Sequence, residues 1–509
     1  MILKLKNLNL YSVVFPFVVI AVSIYCLWKF GINTHFEEWT GRGLYPGLAF
    51  AKGFDLYETQ KSPLITMYGF GMAFFYSLSG LASHPTTAIT IGYLMNLLGL
   101  MVPLYFVSRI FYQDPENSTL DSISLPLVTA FLVLFCLQLE KTTSGVFKIH
   151  ADTPALLFIL IGLCFFQLYE SKKLNIFLFL TSLSLSLAVW SKLPTLPALF
   201  FPFIYLFLNR RLKESFHFLL HASLTLFGLS TLIFWVYGFD DVYYYIIQFP
   251  SGSMWSYRND LFDGSNVLLK RHSYFEGIPL LVRFFVMYLA EYWYFIFSNF
   301  VLFLFSFRVN TQLKLIFRCL PLIAILTLPT CLAHLARFGA VENALIFTNS
   351  FSVLGIVLLT IYLIHYSVSK ELSKIIILSI SCLILLPSIR TAKGLPTSTE
   401  NAPHQQSFDY LESGKKDVYF GWYPISHLLH SGENFTSIEV PIWVGMNQPD
   451  KIKFDLSHIP KGAKFLATSP TGYGSTMLKQ YIGDLIEVPA PEELSSWRLY
   501  EIKALSTAY

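Results

Sequence analysis

The sequence predicts a mainly α-helical, polytopic integral membrane protein with a small α/β domain at its C-terminal end. Of 509 residues, 54% are hydrophobic and only 13% are charged, which is too little polar surface for a soluble protein of this size. Apolar stretches long enough to cross a bilayer recur as far as residue 389. Beyond about residue 390 the composition becomes polar and mixed, which indicates a separate domain outside the membrane.

The first apolar stretch, residues 11–28, follows Lys4 and Lys6. No small-residue cleavage site comes after it, so we interpret it as a retained membrane helix rather than a signal peptide. Length and lack of charge predict about eleven membrane helices in all. The other ten are predicted at 86–110, 124–139, 154–169, 176–190, 194–208, 217–237, 278–306, 315–333, 343–365 and 375–389.

The basic residues of the short loops predict the orientation of these helices. If the N-terminus is cytoplasmic, the cation-bearing loops all fall on the cytoplasmic side, as the positive-inside rule requires. Their cations are Lys172, Lys173, Arg210, Arg211, Lys213, Arg308, Lys314, Lys370 and Lys374. An odd number of membrane helices then places the C-terminal domain outside the cytoplasm. The predicted location of the protein is a bacterial inner membrane.

The predicted domain organisation has a membrane domain, a linker and an outer domain. Residues 1–390 form the membrane domain, with large outer loops at 31–85 and 238–276, and 391–405 form the linker. Residues 406–509 form the outer α/β domain. Within it, "DVYFGWYP", "KFLATSP" and "WRLYEIK" are typical of strands, and "PISHLLHSG" and "STMLKQYIG" of helices that end at glycine. We expect this domain to be a structural cap or a lid that docks the acceptor.

Several classes of protein and cofactor are disfavoured. The net charge of +4 comes without a basic stripe, so nucleic acid is not a predicted partner. The six cysteines lie in apolar stretches without CxxC spacing, which predicts neither disulfides nor a zinc site. His35, His150 and His334 fall at outer helix ends, but their spacing does not favour a metal. No Walker loop, dinucleotide fingerprint or Asp-x-Asp motif is present, so we expect no cofactor and no soluble nucleotide donor.

An acidic pair, Glu37 and Glu38, follows the first membrane helix. A solvated flank that stops the helix from sliding inward would explain the pair on its own. The segment that follows is far longer than a connection needs, and segments of this kind usually form a site. Its polar and aromatic residues include Asp55, Tyr57, Lys61 and Tyr68.

With the acidic pair before it, "LYPGLAFAKGFDLYETQKSPLITMYGFG" resembles the first outer loop of the GT-C superfamily of polytopic glycosyltransferases. That superfamily includes protein O-mannosyltransferases and lipid A aminoarabinose transferases. "KIHADTPALLFILIGL" resembles the second outer loop with its Asp, "WSKLPTLPALF" the Lys-bearing turn, and "RFGAVENAL" a late outer loop. The pair departs from the family pattern because Glu37 stands where Asp is usual.

The resemblance implies a reaction on the outer face. A sugar passes from a polyprenyl-phosphate donor to the hydroxyl of a lipid, glycan or protein acceptor, with inversion. Glu37 or Glu38 would be the base that takes the acceptor's proton, and the sequence does not decide between them. Membrane lipids are further predicted partners, and no metal is expected. The candidate substrate-binding residues are Asp55, Tyr57, Lys61, Asp152, Lys192, Arg258, Lys270, Arg271, Arg337 and Asn343.

Structural alternatives exist for the two most specific candidates. Lys192 lies in a tight turn, where a snorkelling anchor is the simpler interpretation. Asp152 precedes a membrane helix, where it would serve as an N-terminal cap or first-turn charge.

Other functions for the whole chain also remain open. A transporter or flippase would place several ionisable residues near mid-membrane, where Glu291 stands almost alone. A polymerase or ligase of lipid-linked glycans would carry a large Arg-rich loop late in the membrane domain. A non-catalytic assembly subunit would bind its partner through the outer domain.

Overall fold

The protein is described here from a computed structural model. It describes residues 10–35, 38–57, 66, 68–112, 121–139, 148–248, 280–309, 311–335, 342–393, 403–432, 462–468 and 485–502. At some positions within these ranges only the backbone is described.

Helices dominate the described residues. In chain order the α-helices are α1 (Leu10–His35), α2 (Glu38–Ala51), α3 (Phe70–Tyr76), α4 (Pro85–Arg109), α5 (Asp121–Leu139), α6 (Asp152–Lys172), α7 (Asn175–Ser191), α8 (Phe201–Leu208), α9 (Leu212–Tyr237), α10 (Phe239–Tyr243), α11 (Leu280–Phe305), α12 (Thr311–Leu335), α13 (Ile346–Ser367), α14 (Lys370–Lys393), α15 (Pro403–Glu412) and α16 (Pro424–Ser431). Shorter 3₁₀ turns occur at Ser77–Leu81, Ile110–Tyr112, Leu193–Phe200, Glu342–Leu345 and Glu492–Leu494.

Six segments among the described residues are long and apolar enough to cross a membrane, which indicates a membrane-embedded protein. They are Pro85–Tyr112, Asp152–Lys172, Leu212–Tyr237, Leu281–Phe305, Gln312–Leu335 and Ile346–Ser367. The mainly helical class is therefore confirmed. The remaining predicted membrane segments fall on shorter apolar helices, so the number eleven and the orientation stay predictions.

The segment predicted as one membrane helix at 194–208 has two different conformations. Leu193–Phe200 forms a 3₁₀ helix, and α8 begins at Phe201. Pro194 and Pro197 explain the difference, because a proline ring removes a backbone donor and clashes with the preceding helical turn.

The membrane helices differ in how deeply they are buried. Most residues of α6, α12 and α13 lie inside the bundle, whereas α9 and α11 expose most of theirs. Apolar side chains on such exposed faces suit contact with lipid tails. Helix α11 has non-helical backbone angles at Tyr292, directly after Glu291. The intramembrane carboxylate therefore lies beside a kink.

Helices α6 and α7 form an antiparallel hairpin. Only residues 173 and 174 separate them, and Lys173 adopts the left-handed conformation that ends α6. The small residue Gly162 lets Leu185 of α7 pack closely against α6. Because the two helices have similar lengths, the first residue of α6 and the residue after α7 arrive at the same end of the bundle. These residues are Asp152 and Lys192.

The C-terminal residues contain a four-stranded sheet in the order β1-β2-β4-β3. Its strands are β1 (Val418–Tyr419), β2 (Phe465–Thr468), β3 (Leu485–Val488) and β4 (Arg498–Ile502). Strand β2 pairs parallel to β1 and antiparallel to β4, with Phe465 opposite Glu501, and β3 pairs antiparallel to β4. The three stretches predicted as strands contain β1, β2 and β4. Aromatic side chains such as Phe420, Tyr423 and Trp497 fill the core on this sheet.

The C-terminal helices agree in part with the sequence interpretation. The predicted helix that ends at glycine corresponds to α16, which stops at Gly432 with φ 70°. "STMLKQYIG" lies outside the described residues. Helix α14 continues to Lys393 and α15 begins at Pro403, so helical residues occupy both ends of the predicted linker 391–405.

Helices α15 and α16 lie against α2. Lys52, just after α2, donates a hydrogen bond from Nζ to the carbonyl of Leu428 at 3.1 Å. Gly41 of α2 faces the buried ring of His404 so closely that a Cβ there would overlap it. Leu428 also belongs to the apolar cluster that contains Leu44 and Leu48 of α2. The C-terminal helices therefore cover the helix that begins at Glu38.

Candidate functional site

A cluster of ionisable side chains lies where α6 begins and α7 ends. Lys192 Nζ forms a short ion pair with Asp152 Oδ1, and His150 Nδ1 lies 2.7 Å from Asp152 Oδ2. The side chains of Asp152 and Lys192 are only 1% and 4% exposed, whereas that of His150 is 27% exposed. The cluster thus combines a buried ion pair, Asp152–Lys192, with the His150 imidazole, which reaches the surface.

The hydrogen bonds of His150 define its roles. Asp152 is paired with a lysine and accepts, so Nδ1 of His150 carries the proton between them. In the neutral ring Nε2 is then an acceptor, and the Tyr68 hydroxyl lies 2.6 Å from it. Asp152 therefore holds one tautomer of His150, with Nε2 turned to the Tyr68 hydroxyl. This is the arrangement by which a carboxylate orients a histidine base or acid.

The loop that carries His150 is anchored by buried polar groups. Asn96 of α4 donates to the carbonyl of Lys148 at 3.2 Å and accepts from the hydroxyl of Tyr76 at 2.8 Å. The hydroxyl of Thr153 also donates to the Lys148 carbonyl, at 2.9 Å. Because an unmade hydrogen bond in this interior costs free energy, these bonds define the path of the loop.

Backbone contacts bring helix α2 to the same place. Gly43 of α2 lies against Ile149 so closely that a Cβ would overlap the Ile149 carbonyl oxygen. Glu38, the first residue of α2, precedes Gly43 by five positions, or about 7.5 Å along the axis. The start of α2 and His150 therefore belong to one end of the bundle.

Asp55 and Tyr57 hold the residues that follow α2. Asp55 Oδ1 accepts the backbone N–H of Tyr57 at 2.9 Å, and the Tyr57 hydroxyl donates to the carbonyl of Tyr68 at 3.0 Å. Tyr57 is completely buried beside the ring of Tyr237, 5.2 Å away. Burial, the nearby Tyr237 and the Asp55 carboxylate raise the pKa of Tyr57 well above its usual value. Tyr57 consequently stays a neutral donor that positions Tyr68.

One aromatic residue of α13 also faces Lys192. The ring centroid of Phe347, in the first turn of α13, lies 5.9 Å from Lys192 Nζ. Asn343 lies in the 3₁₀ turn Glu342–Leu345 that leads into α13, and its side chain is outside the description. Residues 337–345, which resemble a late outer loop, are thus followed directly by the first turn of α13, which lies near Lys192.

The predicted site residues fall into two groups. Asp55, Tyr57, Asp152 and Lys192 are brought to one region, through the contacts above. The side chain of Glu38 is not described, and the other predicted residues lie outside the described ranges: Glu37, Lys61, Arg258, Lys270, Arg271 and Arg337. Among the described residues no cluster of three His, Cys, Asp or Glu side chains is placed to hold a metal.

Sequence reasoning missed the contacts of His150 with Asp152 and Tyr68, because it weighed His150 only as a metal ligand, and it missed the anchoring residues Asn96 and Tyr76. The His-Ala-Asp spacing before an apolar helix was the available signal, since it places two polar groups at the mouth of a membrane segment. Asn96 gave no such signal, because a single amide in a membrane helix has many possible uses.

The fold and this site define a helical membrane protein with a cluster of hydrogen-bonded ionisable side chains at one end of its bundle. Compared with models of known families, the chain matches none, and it matches no curated protein. The geometry of the cluster is therefore the basis for a functional assignment.

Proposed function

We propose that the protein is a membrane glycosyltransferase that moves a sugar from a polyprenyl-phosphate donor to an acceptor hydroxyl. The observation that carries the proposal is the His150–Asp152–Lys192 cluster, adjoining the helix that begins at Glu38. Acid–base groups beside a carboxylate-bearing helix at a membrane surface suit a lipid-borne donor. The sequence resemblance to GT-C enzymes supports the same reaction.

In the proposed reaction Glu37 or Glu38 accepts the proton of the acceptor hydroxyl as its oxygen attacks the anomeric carbon. The bond from that carbon to the phosphate oxygen breaks, and the polyprenyl phosphate leaves with the bonding electrons. His150 reaches the surface of the site, where its protonated imidazole would donate a hydrogen bond from Nε2 to the leaving phosphate in place of its contact with the Tyr68 hydroxyl.

This proposal changes the expected role of Lys192. The lysine is almost fully buried and paired with Asp152, so direct contact with phosphate would require the pair to separate. We propose instead that the pair orients His150 through the Asp152 carboxylate. The site would lie on the outer face of a bacterial inner membrane, and its acceptor would be a lipid, glycan or protein.

The test is sugar transfer by the purified full chain in lipid bilayers containing radiolabelled polyprenyl-phosphate sugars. We expect Glu37→Gln or Glu38→Gln to abolish transfer, and His150→Gln to lower its rate by about 100-fold. Glu487→Gln is the matched control, because Glu487 is exposed on β3. Full transfer by all three site variants, or no sugar released by folded wild-type protein, would refute the proposal.

One observation favours a transporter or flippase as the second candidate. The kink at Tyr292 beside Glu291 in α11 is typical of broken helices that carry substrate sites in transporters. Glu291→Gln separates the two functions. A transporter would lose movement of a lipid-linked sugar across the bilayer, whereas the glycosyltransferase would retain transfer to its acceptor.

A further inference from the structure

Helix α2 depends on its neighbours for its conformation. Its 14 residues include Gly41, Gly43 and Gly47, and Pro46 lies in its interior. Glycine and proline are the two least favourable residues in the interior of a helix. Packing against other elements, rather than intrinsic propensity, therefore keeps these residues helical.

Each glycine of α2 allows the close approach of a different element. A Cβ on Gly43 would overlap the carbonyl oxygen of Ile149, in the loop before α6. A Cβ on Gly47 would lie 2.6 Å from a side-chain atom of the last residue of α3. A Cβ on Gly41 would overlap Cε1 of His404, which belongs to α15. The contact at Gly41 thus joins α2 to the C-terminal helices.

The contact with His404 lies where α2 is least stable by itself. Gly41 belongs to the first turn of α2, three residues after Glu38, or about 4.5 Å along the axis. The first N–H groups of a helix have no partner within it, and helix ends fray for this reason. The buried ring of His404 therefore supports the turn that begins at Glu38.

Other residues of the C-terminal helices hold His404 in place. Its carbonyl accepts hydrogen bonds from the hydroxyls of Ser407, at 3.0 Å, and Ser426, at 2.8 Å. Its ring lies edge-on to the buried ring of Tyr423, with 4.6 Å between the centroids. The ring consequently has little freedom to move away from α2.

Contacts with α4 dock α15 on the membrane domain. Thr86, in the first turn of α4, donates a hydrogen bond to Oε1 of Gln405 at 2.5 Å. The ring centroid of His84 lies 5.2 Å from that of Phe408. Together with the bond that Lys52 donates to α16, these contacts cover α2 from its first turn to its end.

We propose that His404 is a positioning residue for the predicted base, and that sugar transfer requires the C-terminal helices to be docked on α2. The ring packs on Gly41 and so fixes the backbone of the turn that begins at Glu38, beside the loop that carries His150. A misplacement of about 1 Å can cost roughly 100-fold in rate. The inference rests on the proposed function and gives the C-terminal residues a part in the reaction.

The first test is steady-state sugar transfer by the purified full chain in lipid bilayers, with rates expressed per folded protein. His404→Ala should lower kcat at least about tenfold. It should leave the KM for the polyprenyl-phosphate sugar unchanged, because the groups proposed to contact the phosphate lie around His150. Glu412→Ala, exposed at the end of α15, is the matched control and should keep the wild-type kcat.

Gly41→Ala supplies a rescue experiment. Alone it should lower kcat as well, because the added methyl group displaces the ring of His404. Combined with His404→Ala it should transfer sugar faster than Gly41→Ala does, since the methyl group then occupies space that the ring has left. A double variant slower than both single variants would show two independent defects and contradict the proposal.

A cross-link tests docking without changing His404 or Gly41. Thr86→Cys and Gln405→Cys, joined by a short bis-maleimide, hold α15 against α4, and the joined protein should transfer sugar at the wild-type rate. The unmodified chain treated with the same reagent gives the background. Loss of transfer on joining would overturn the proposal, because the docked arrangement would then not be the active one.

The kinetic results also separate this inference from the proposed function. If wild type transferred sugar and both His404→Ala and Gly41→Ala kept its kcat, the positioning role would be overturned and the glycosyltransferase would stand. If folded wild type transferred no sugar, both would be overturned.

Discussion

Asp152 and Lys192 show how a charge is kept inside an apolar bundle. Each would be costly to bury alone, and each has the other within ion-pair distance. Such a pair contributes little net stability compared with apolar residues of similar size. Its presence at the mouth of the bundle is better explained by its effect on His150.

The two residues should therefore depend strongly on each other. Asp152→Asn leaves the lysine buried and unpaired, and we expect a loss of about 3–5 kcal/mol in the free energy of unfolding. Replacing both residues, with Asp152→Leu and Lys192→Met, should recover most of this loss. Unfolding in detergent measures both effects.

A double variant as unstable as the Asp152→Asn single variant would contradict this account. Sugar transfer gives a separate readout, because the refolded double variant should still transfer sugar more slowly than wild type, by up to about 100-fold as in His150→Gln. His150 would have lost the acceptor that sets its tautomer.

At the level of elements, the close approach of α2 to the loop before α6 depends on Gly43. A side chain at this position would overlap a backbone carbonyl, which cannot rotate away. The contact therefore transmits any shift of α2 to His150, and with it any shift of the predicted base.

We expect Gly43→Ala to destabilise the protein by about 3 kcal/mol, because the overlap forces the backbone to move. Sugar transfer should fall even at temperatures where the variant stays folded. Gly228→Ala in α9 is the matched control, since no atom lies within 4 Å of the added Cβ. It should stabilise the protein by about 0.5 kcal/mol. If Gly43→Ala and Gly228→Ala changed the free energy of unfolding and the rate of sugar transfer equally, the contact of Gly43 with Ile149 would be unimportant.

The C-terminal helix α16 contains a histidine that should make the free energy of unfolding depend on pH. His427 of α16 is buried, and its Nε2 accepts the backbone N–H of Phe420 at 3.0 Å. Burial, with a smaller effect of His430, lowers the pKa of His427 to about 3. The unfolded chain has a pKa of about 6.5 for this group.

Between these values the unfolded state binds a proton that the folded state does not bind. Stability is therefore complete above pH 6.5 and falls as the pH falls toward 3, by roughly 2 kcal/mol between pH 6.5 and 5. Denaturation followed by tryptophan fluorescence, to which the buried Trp422 and Trp497 contribute, measures this loss. His427→Gln should remove the dependence, whereas His430→Gln should retain it. If the free energy of unfolding changed equally with pH in wild type, His427→Gln and His430→Gln, His427 would be excluded as the source.

At the scale of the whole molecule, the two ends of the bundle differ in charge and in covering. One end carries the turns with Lys173, Arg210 and Arg308, and the other carries His150 and the C-terminal helices. The positive-inside rule assigns the basic end to the cytoplasm. The proposed reaction would then take place on the opposite, extracytoplasmic face.

Cysteine labelling of intact cells tests this arrangement. Glu412→Cys, at the end of α15, should react with a membrane-impermeant maleimide in spheroplasts. Lys173→Cys, in the turn between α6 and α7, should react only after the membrane is opened. The reverse pattern would place the candidate site in the cytoplasm and exclude an outer-face glycosyltransferase. The native cysteines lie in apolar helices, so the unmodified chain gives the background.

The sequence by itself determined the helical membrane class and most helix positions. The prediction at 86–110, for example, compares with α4 at Pro85–Arg109. This succeeds because a membrane segment must satisfy its backbone hydrogen bonds within itself, so length and hydropathy carry the information. Residue types also indicated Asp152 and Lys192, but only as separate candidates.

Only the tertiary structure decided that these two residues form a pair behind His150. Asp152 and Lys192 are 40 positions apart, and Tyr68 and His150 are 82 apart. Contacts over such separations depend on how helices pack and on where a glycine permits close approach. Hydropathy and periodicity describe each helix alone, so they do not contain this information.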